Sequence, residues 1–390
     1  MTPNVAAFDD WIRHAFVEMN TELEELYFAR EDRANVNGVG DPVKKRLCAE
    51  GREYIVALLH EGNTDEGFDR GFDLLGNVGL YMAACARHEI TLHTRDTSSP
   101  LREASALAMQ LGASLGVTPR FATSHLATHN RAINGRYKSF TSLKDEFVFN
   151  DYNTRGVLAY KRAADALLRI LPLGISHPVA YDLLCAARDA LLAVIEYNDL
   201  LYRKLDTERF FYCVRPYFKP HHVGLHVYRG ANAGDFAGIN IIDLLLGLCQ
   251  ADDPTYSQIL VDKFLYMMPE DQLLLRDCMR RQSLMNEFLA HAGQHNDAEW
   301  YRTNLTVFLE VCQTHGRTAA QHHDQLVRRF IEKPAAELPE QHHENLTASG
   351  PPLPVLLRAL EKLRDLRLAA ARADIPTRYA DIRLLESSLK

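Results

Sequence analysis

Paired cysteines, strand patterning, long apolar runs and excess positive charge are all missing from this chain. Its seven cysteines stand far apart, at 48, 85, 185, 213, 249, 278 and 312, and none forms a Cys-x-x-Cys pair. An odd and scattered set argues against a disulfide framework and a structural zinc, and for reduced thiols in a cytoplasmic protein. Alternating polar and apolar runs joined by Asn-Gly or Asp-Gly turns are absent, which removes the sheet-built folds. No apolar run approaches the ~20 residues of a membrane span. The longest, 186–197, is broken by Arg188, Asp189 and Glu196. Met1-Thr2-Pro3-Asn4 lacks the charged-then-apolar order of a secretory signal. There is no basic tail: 44 Lys and Arg face 51 Asp and Glu, a formal net charge of −7. Nucleic acid is therefore not expected as a main partner, nor is a membrane. No internal repeat is visible.

What is present is helix, and an all-α fold is the expectation. With 390 residues and 47% hydrophobic content the chain can bury a large core. Amphipathic runs at 8–29, 43–60, 67–88 and 99–115 predict a small N-terminal bundle. Trp11, Ile12, Phe16, Met19, Leu23 and Leu26 share one face of the first. The turn-like Gly116-Val117-Thr118-Pro119 marks a boundary, giving a small helical domain at 1–118 and a larger one at 119–390. In the second, 121–130 reads as a short helix holding Ser124, His125 and His129, and 130–154 as a polar loop. Helices are predicted at 155–171, 178–205, 207–215, 236–248, 253–268, 270–292 and 353–372, with the almost wholly apolar 236–248 in the middle of the core.

The longest pattern is 297–333. Val307, Phe308, Val311, Cys312, His315, Ala319, His322, His323, Leu326, Val327, Phe330 and Ile331 recur at alternating spacings of three and four, and Pro334 is the expected stop. The pair His322-His323 sits inside that stripe. One reading is a core histidine with hydrogen-bonded ring nitrogens. The other is a metal or haem-iron ligand, since neutral imidazole serves both. Helical spacing does not choose between the two residues.

Four further stretches can carry chemistry. In Phe210-Phe211-Tyr212-Cys213-Val214-Arg215, a helix would put Phe211 and Arg215 on one face. That is either two core rings with a surface arginine, or an aromatic wall beside a guanidinium that suits an aromatic acid. Arg229-Gly230-Ala231-Asn232-Ala233-Gly234-Asp235 is an ordinary loop or a close-packed lining over a flat cofactor. It is not Gly-x-Gly-x-x-Gly, and no strand precedes it. Asp243, alone among Ile241, Ile242, Leu244 and Leu245, needs a partner, for which an arginine is the natural choice. Thr347-Ala348-Ser349-Gly350 is a linker or a lid.

Together these motifs resemble the indoleamine and tryptophan 2,3-dioxygenase superfamily of haem proteins. The resemblance rests on 210–215, on 230–234 leading to Asp243-Leu244-Leu245-Leu246-Gly247, on Phe264-Leu265-Tyr266-Met267-Met268-Pro269, on 323–331, and on 347–350 followed by Leu353. Arg215-Pro216-Tyr217-Phe218-Lys219-Pro220 and Asp252-Asp253-Pro254-Thr255-Tyr256 look nearer the monodechloroaminopyrrolnitrin synthase branch, which rearranges a chlorinated tryptophan. The resemblance spans 115–390 and is clear over 207–270 and 317–358. It implies haem b held by His323 as proximal ligand, and dioxygen with a small aromatic amino acid or indole as partners. Phe210, Phe211, Arg215, Thr347 and Ser349 would bind substrate. Asn232, Ala233, Gly234 and Ser124 would lie against the haem. The family pairs the equivalent of Asp243 with an arginine three residues before the haem histidine. Ala320 stands there in this chain, so the resemblance turns to Arg317 as the substitute. The implied reaction is 2,3-dioxygenation of tryptophan or a related indole. Alternatives are one-atom oxygenation, an oxidative rearrangement, or a haem-binding protein without catalysis. A homo-oligomer stays open.

Overall fold

A computed structural model describes residues 2–62, 66–90, 101–231, 233–338 and 353–390. The fold is all-α. Among the described residues the only sheet is an antiparallel hairpin, His221–Val223 against His226–Tyr228. The reason lies in how helices start and stop. Thr2, Asp206, Asp253 and Ser283 each place a side-chain oxygen on the backbone N–H three residues on, satisfying one of the unpaired donors at a helix start. Proline opens Pro3–Arg13, Pro178–Lys204, Pro254–Phe264 and Pro269–Cys278, where no backbone donor is needed. Gly116 and Gly247, at φ of 67° and 76°, end Arg102–Leu115 and Gly238–Leu246 in the left-handed conformation. All seven thiols are free. No helix among the described residues is long and apolar enough to cross a membrane.

The chain forms two compact units, each discontinuous: Met1–Asp151 with Lys204–Ala233 and Arg329–Leu353, and Tyr152–Arg203 with Gly234–Arg328 and Pro354–Lys390. The expected boundary at 118 falls inside the first. In that unit Phe8, Trp11, Phe16, Leu23, Phe72 and Tyr81 are buried. Glu24 and Arg87 form a bidentate pair at 2.8 and 2.9 Å, both buried. The second unit has a continuous apolar core from Pro178–Lys204, Gly238–Leu246, Glu299–Gln321 and neighbouring helices.

Four expectations are corrected. The 8–29 helix is two, Pro3–Arg13 and Ala15–Phe28, broken at His14 (φ −124°, ψ −89°). Its apolar face is buried except at Leu26, which is 41% exposed. The helix at 121–130 is only the tight turn Thr123–His125. The loop 130–154 ends early, because the next helix is Lys144–Ile170. Glu146 sits in its first turn and accepts hydrogen bonds from the Phe140 and Thr141 amides at 2.7 and 2.6 Å, which anchors the start. Finally, 297–333 is not one α-helix. Glu299–Gln321 is α, His322–Glu332 is π, and Lys333–Ala336 carries Pro334 in a new first turn, so Pro334 starts a helix and stops none. The wider π turn shifts side chains off a 3.6-residue stripe. Leu326, Val327 and Phe330 stay buried, whereas His322 is exposed and His323 only half-buried.

Candidate functional site

In the first unit, the Asp206 carboxylate caps Arg209 N–H at 2.8 Å and starts a short α turn, Thr207–Arg209. The chain then widens into π over Phe210–Val214 and tightens into a 3-10 turn over Arg215–Phe218, as Pro216 permits. This brings Phe211 beside Arg215, while Phe210 packs elsewhere. The Arg215 guanidinium carbon lies 5.5 Å from the centre of the Phe211 ring. Burial pushes Arg215 down to about 10. Phe211 is fully buried beside Ala34 and Ala335. Phe210 packs on Phe149 at 4.9 Å and edge-on to Phe330 at 5.9 Å. Phe149 lies in the stretch expected to be a loop. Lys219, the extended residue that follows the Arg215–Phe218 turn, was not foreseen either. Burial pushes its ammonium down to about 7, the charges of Arg87 and Arg215 add to this, and Glu89 and Glu24 oppose it. No local signal shows it, since Lys219 lies in extended backbone just past the 3-10 turn.

Ser124 lies in the Thr123–His125 turn, half-buried, and its carbonyl accepts from the amides of Ala127 and His129. His125 is a saturated core histidine. Its Nδ1 accepts from Ala122 N–H at 2.9 Å, its Nε2 donates to the Phe72 carbonyl at 2.9 Å, and its ring stacks on Phe72 at 3.9 Å. Burial pushes it down to about 3. Gly230 is explained by the chain itself, since a Cβ there would meet the Phe218 carbonyl oxygen at 1.8 Å. Ala233 and Gly234 begin the turn Ala233–Asp235. Asn232, Thr347 and Ser349 lie outside the described residues, as does the whole 347–350 segment.

In the second unit, Asp243 is fully buried on Gly238–Leu246 and saturated with donors. It accepts from Arg367 Nε and Nη2, both at 2.8 Å, from His315 Nε2 at 2.7 Å and from the Tyr256 hydroxyl at 2.8 Å. Asn240 Nδ2 completes the network on Tyr256 at 3.0 Å. Burial alone would raise the carboxyl. The Arg367 charge and the His315 hydrogen bond override it and hold Asp243 far below the usual carboxylate range. The expected partner, Arg317, is exposed and is not the arginine on Asp243. Arg367 takes that place, from the last turn of Leu353–Arg367. Gly316 makes the approach possible, because a Cβ there would meet the Arg367 carbonyl at 2.8 Å.

The histidines divide accordingly. His315 is committed to Asp243. His322 and His323 make no hydrogen bond to any described residue. The Nδ1 of His323 is buried and without a partner, and its Nε2 is 4.0 Å from an Asp324 oxygen, beyond hydrogen-bonding reach. His322 is exposed by area, yet burial by surrounding protein, with the charges of Arg367, His323 and Lys263, pushes its imidazole down to about 4. The saturated core histidine of the simpler reading is therefore not found at this pair. No cluster of three metal-ligating side chains exists among the described residues. A metal taken by one imidazole here would have to bring most of its own ligands, and that fits an iron porphyrin.

A search of curated proteins finds no match. The profile of one family, described as monodechloroaminopyrrolnitrin synthase PrnB, matches residues 2–389. That family lies within the haem superfamily of indoleamine and tryptophan 2,3-dioxygenases and acts on tryptophan-derived substrates. With nearly every residue inside the match, on an all-α fold, this chain belongs to the monodechloroaminopyrrolnitrin synthase PrnB family of haem-dependent oxygenases.

Proposed function

We propose that the chain oxidatively rearranges a carboxylate-bearing indole derived from tryptophan, with haem b held by His323. The observation that carries this is the His322-His323 pair in a π-helix, with ring nitrogens committed to nothing else. The match over residues 2–389 favours rearrangement over plain 2,3-dioxygenation, which is the second reading. Bound haem would supply an iron that activates dioxygen for oxidation of the indole. The protein's part is orientation. One nitrogen of His323 would take the iron, and the other is left for a donor hydrogen bond that fixes the tautomer. Arg215 would hold the substrate carboxylate in its fork, which would restore what burial takes from the guanidinium. Phe210 and Phe211 would carry the ring, and Thr347 and Ser349 would close over it. Asn232, Ala233, Gly234 and Ser124 would lie against the haem. Asp243 and Arg367 hold Gly238–Leu246 to Leu353–Arg367 beside the helix that leads into the pair.

The test is the Soret spectrum of haem-supplemented protein. Wild type should bind haem, and L-tryptophan should shift the band. His323→Ala should lose histidine ligation and His322→Ala should keep it. The reverse pattern would move the ligand by one residue, and no Soret band in wild type would end the haem reading. Two labelled oxygens in the product under labelled dioxygen would select dioxygenation over rearrangement.

A further inference from the structure

The second unit holds a cavity of about 930 Å³ that none of the candidate haem- or substrate-binding residues lines. It lies among Gly238–Leu246, Pro254–Phe264, Pro269–Cys278 and Leu284–His291. Its charge runs against that of the chain. Arg276, Arg280, Arg281 and Arg378 line it against the one acid Asp252, in a protein of net charge −7.

Two of these arginines are committed. Arg378 is buried, donating to Asn286 Oδ1 at 2.7 Å and to the Gly247 carbonyl at 3.3 Å, and pairing with Asp381. Arg281 pairs with Asp277 at 2.6 Å. The side chains of Arg276 and Arg280 make no hydrogen bond or ion pair with any described residue. Arg276 lies in the last turn of Pro269–Cys278 and Arg280 in the turn just beyond it, and both line the cavity, so the two can converge on one anion. Arg276 lies 5.3 Å from the Phe264 ring centre, which orients its plane along an apolar wall of Leu260, Phe264 and Met279. Val261 and Leu265, 64% and 65% exposed, continue that wall to the rim.

We infer a second binding site here for an amphipathic organic anion. A carboxylate, sulfonate or phosphate would lie on Arg276 and Arg280, and an aromatic or aliphatic body on Leu260, Phe264 and Met279. The volume is near the upper end of ordinary ligand pockets, about 300–1,000 Å³, so the occupant is larger than a single indole amino acid. The site needs neither His323 nor Arg215, so it stands or falls apart from the haem reading.

The probe is 8-anilinonaphthalene-1-sulfonate, titrated into haem-supplemented protein. Saturable, blue-shifted fluorescence is expected, weakened by about tenfold or more in Arg276→Gln/Arg280→Gln, a loss of about 1.4 kcal/mol. Far-ultraviolet circular dichroism and the Soret band should not change. Leu260→Trp, which fills the floor, should abolish binding, and the uncharged N-phenyl-1-naphthylamine should bind at least about tenfold more weakly. The inference is overturned if the double variant keeps wild-type affinity, or if the uncharged probe binds equally well. It is also overturned if wild type sediments as a dimer that Val261→Asp dissolves, since the cavity would then be a subunit interface.

Discussion

Arg367 in the second unit is half-buried and Arg215 in the first is buried, and their surroundings push the two guanidinium groups in opposite directions. Arg367 meets Asp243 through two parallel bonds of 2.8 Å, and that charge holds it above the usual arginine value. Arg215 is 5% exposed, and burial pushes it down to about 10. A guanidinium matched by a saturated internal carboxylate serves the fold. One whose burial works against its charge is suited to an anion from outside. Among the histidines, His315 gives Nε2 to Asp243 and keeps a buried Nδ1 without a partner, whereas His322 and His323 make no hydrogen bond to any described residue.

Removing Arg367 should have the largest effect. Arg367→Met leaves Asp243 as a buried charge short of its main partner and should cost about 3–5 kcal/mol, read from the urea midpoint. Adding Asp243→Asn should recover a good part of that loss. If the single variant costs nothing, the contrast with Arg215 fails. Arg215→Leu should act on ligand binding instead. It should weaken binding of a carboxylate-bearing indole by about 2–5 kcal/mol in a spectral titration. Unchanged binding would place the carboxylate elsewhere.

Glu146 provides the pH axis. Burial pushes its carboxyl up to about 7, from an ordinary 4.5, against hydrogen bonds from Thr141 and Phe140. Because the folded value lies above the unfolded one, its stabilising contribution is full below the unfolded value and is lost as pH rises through the folded value. Wild type should lose roughly 3 kcal/mol across that window, and Glu146→Gln should flatten that slope of melting temperature against pH. A slope that survives the substitution would assign it to another group. The smallest effect belongs to Asp253, whose carboxylate caps Tyr256 N–H at 2.7 Å. Asp253→Ala should cost about 1 kcal/mol, with no change in the Soret band.

Much of this was legible in the residues. Recurrent apolar spacing marked the helices at 43–60, 67–88 and 178–205, and the structure has Asp41–Glu61, Phe68–Arg87 and Pro178–Lys204. A lone acid among Ile241, Ile242, Leu244 and Leu245 had to be paired, and it is. The partner was not legible, because Arg367 lies 124 residues away and reaches Asp243 only through a close helix approach at Gly316. The start of the helix at Lys144 was hidden behind Asn150 and Asn153, residues whose weak local preference is overridden by burial of Tyr152.

The sequence by itself determined the all-α class, the unpaired thiols, the family and the grouping of Phe211 and Arg215, since all of these follow from composition, order and near-neighbour spacing. Tertiary structure decided which arginine neutralises Asp243, that the half-buried Lys219 feels the charges of Arg87 and Arg215, and that the helix after Gln321 widens to π and takes His322 and His323 off the buried stripe. Those choices depend on groups far apart in the chain competing for the same buried space, and local patterning carries no record of that competition.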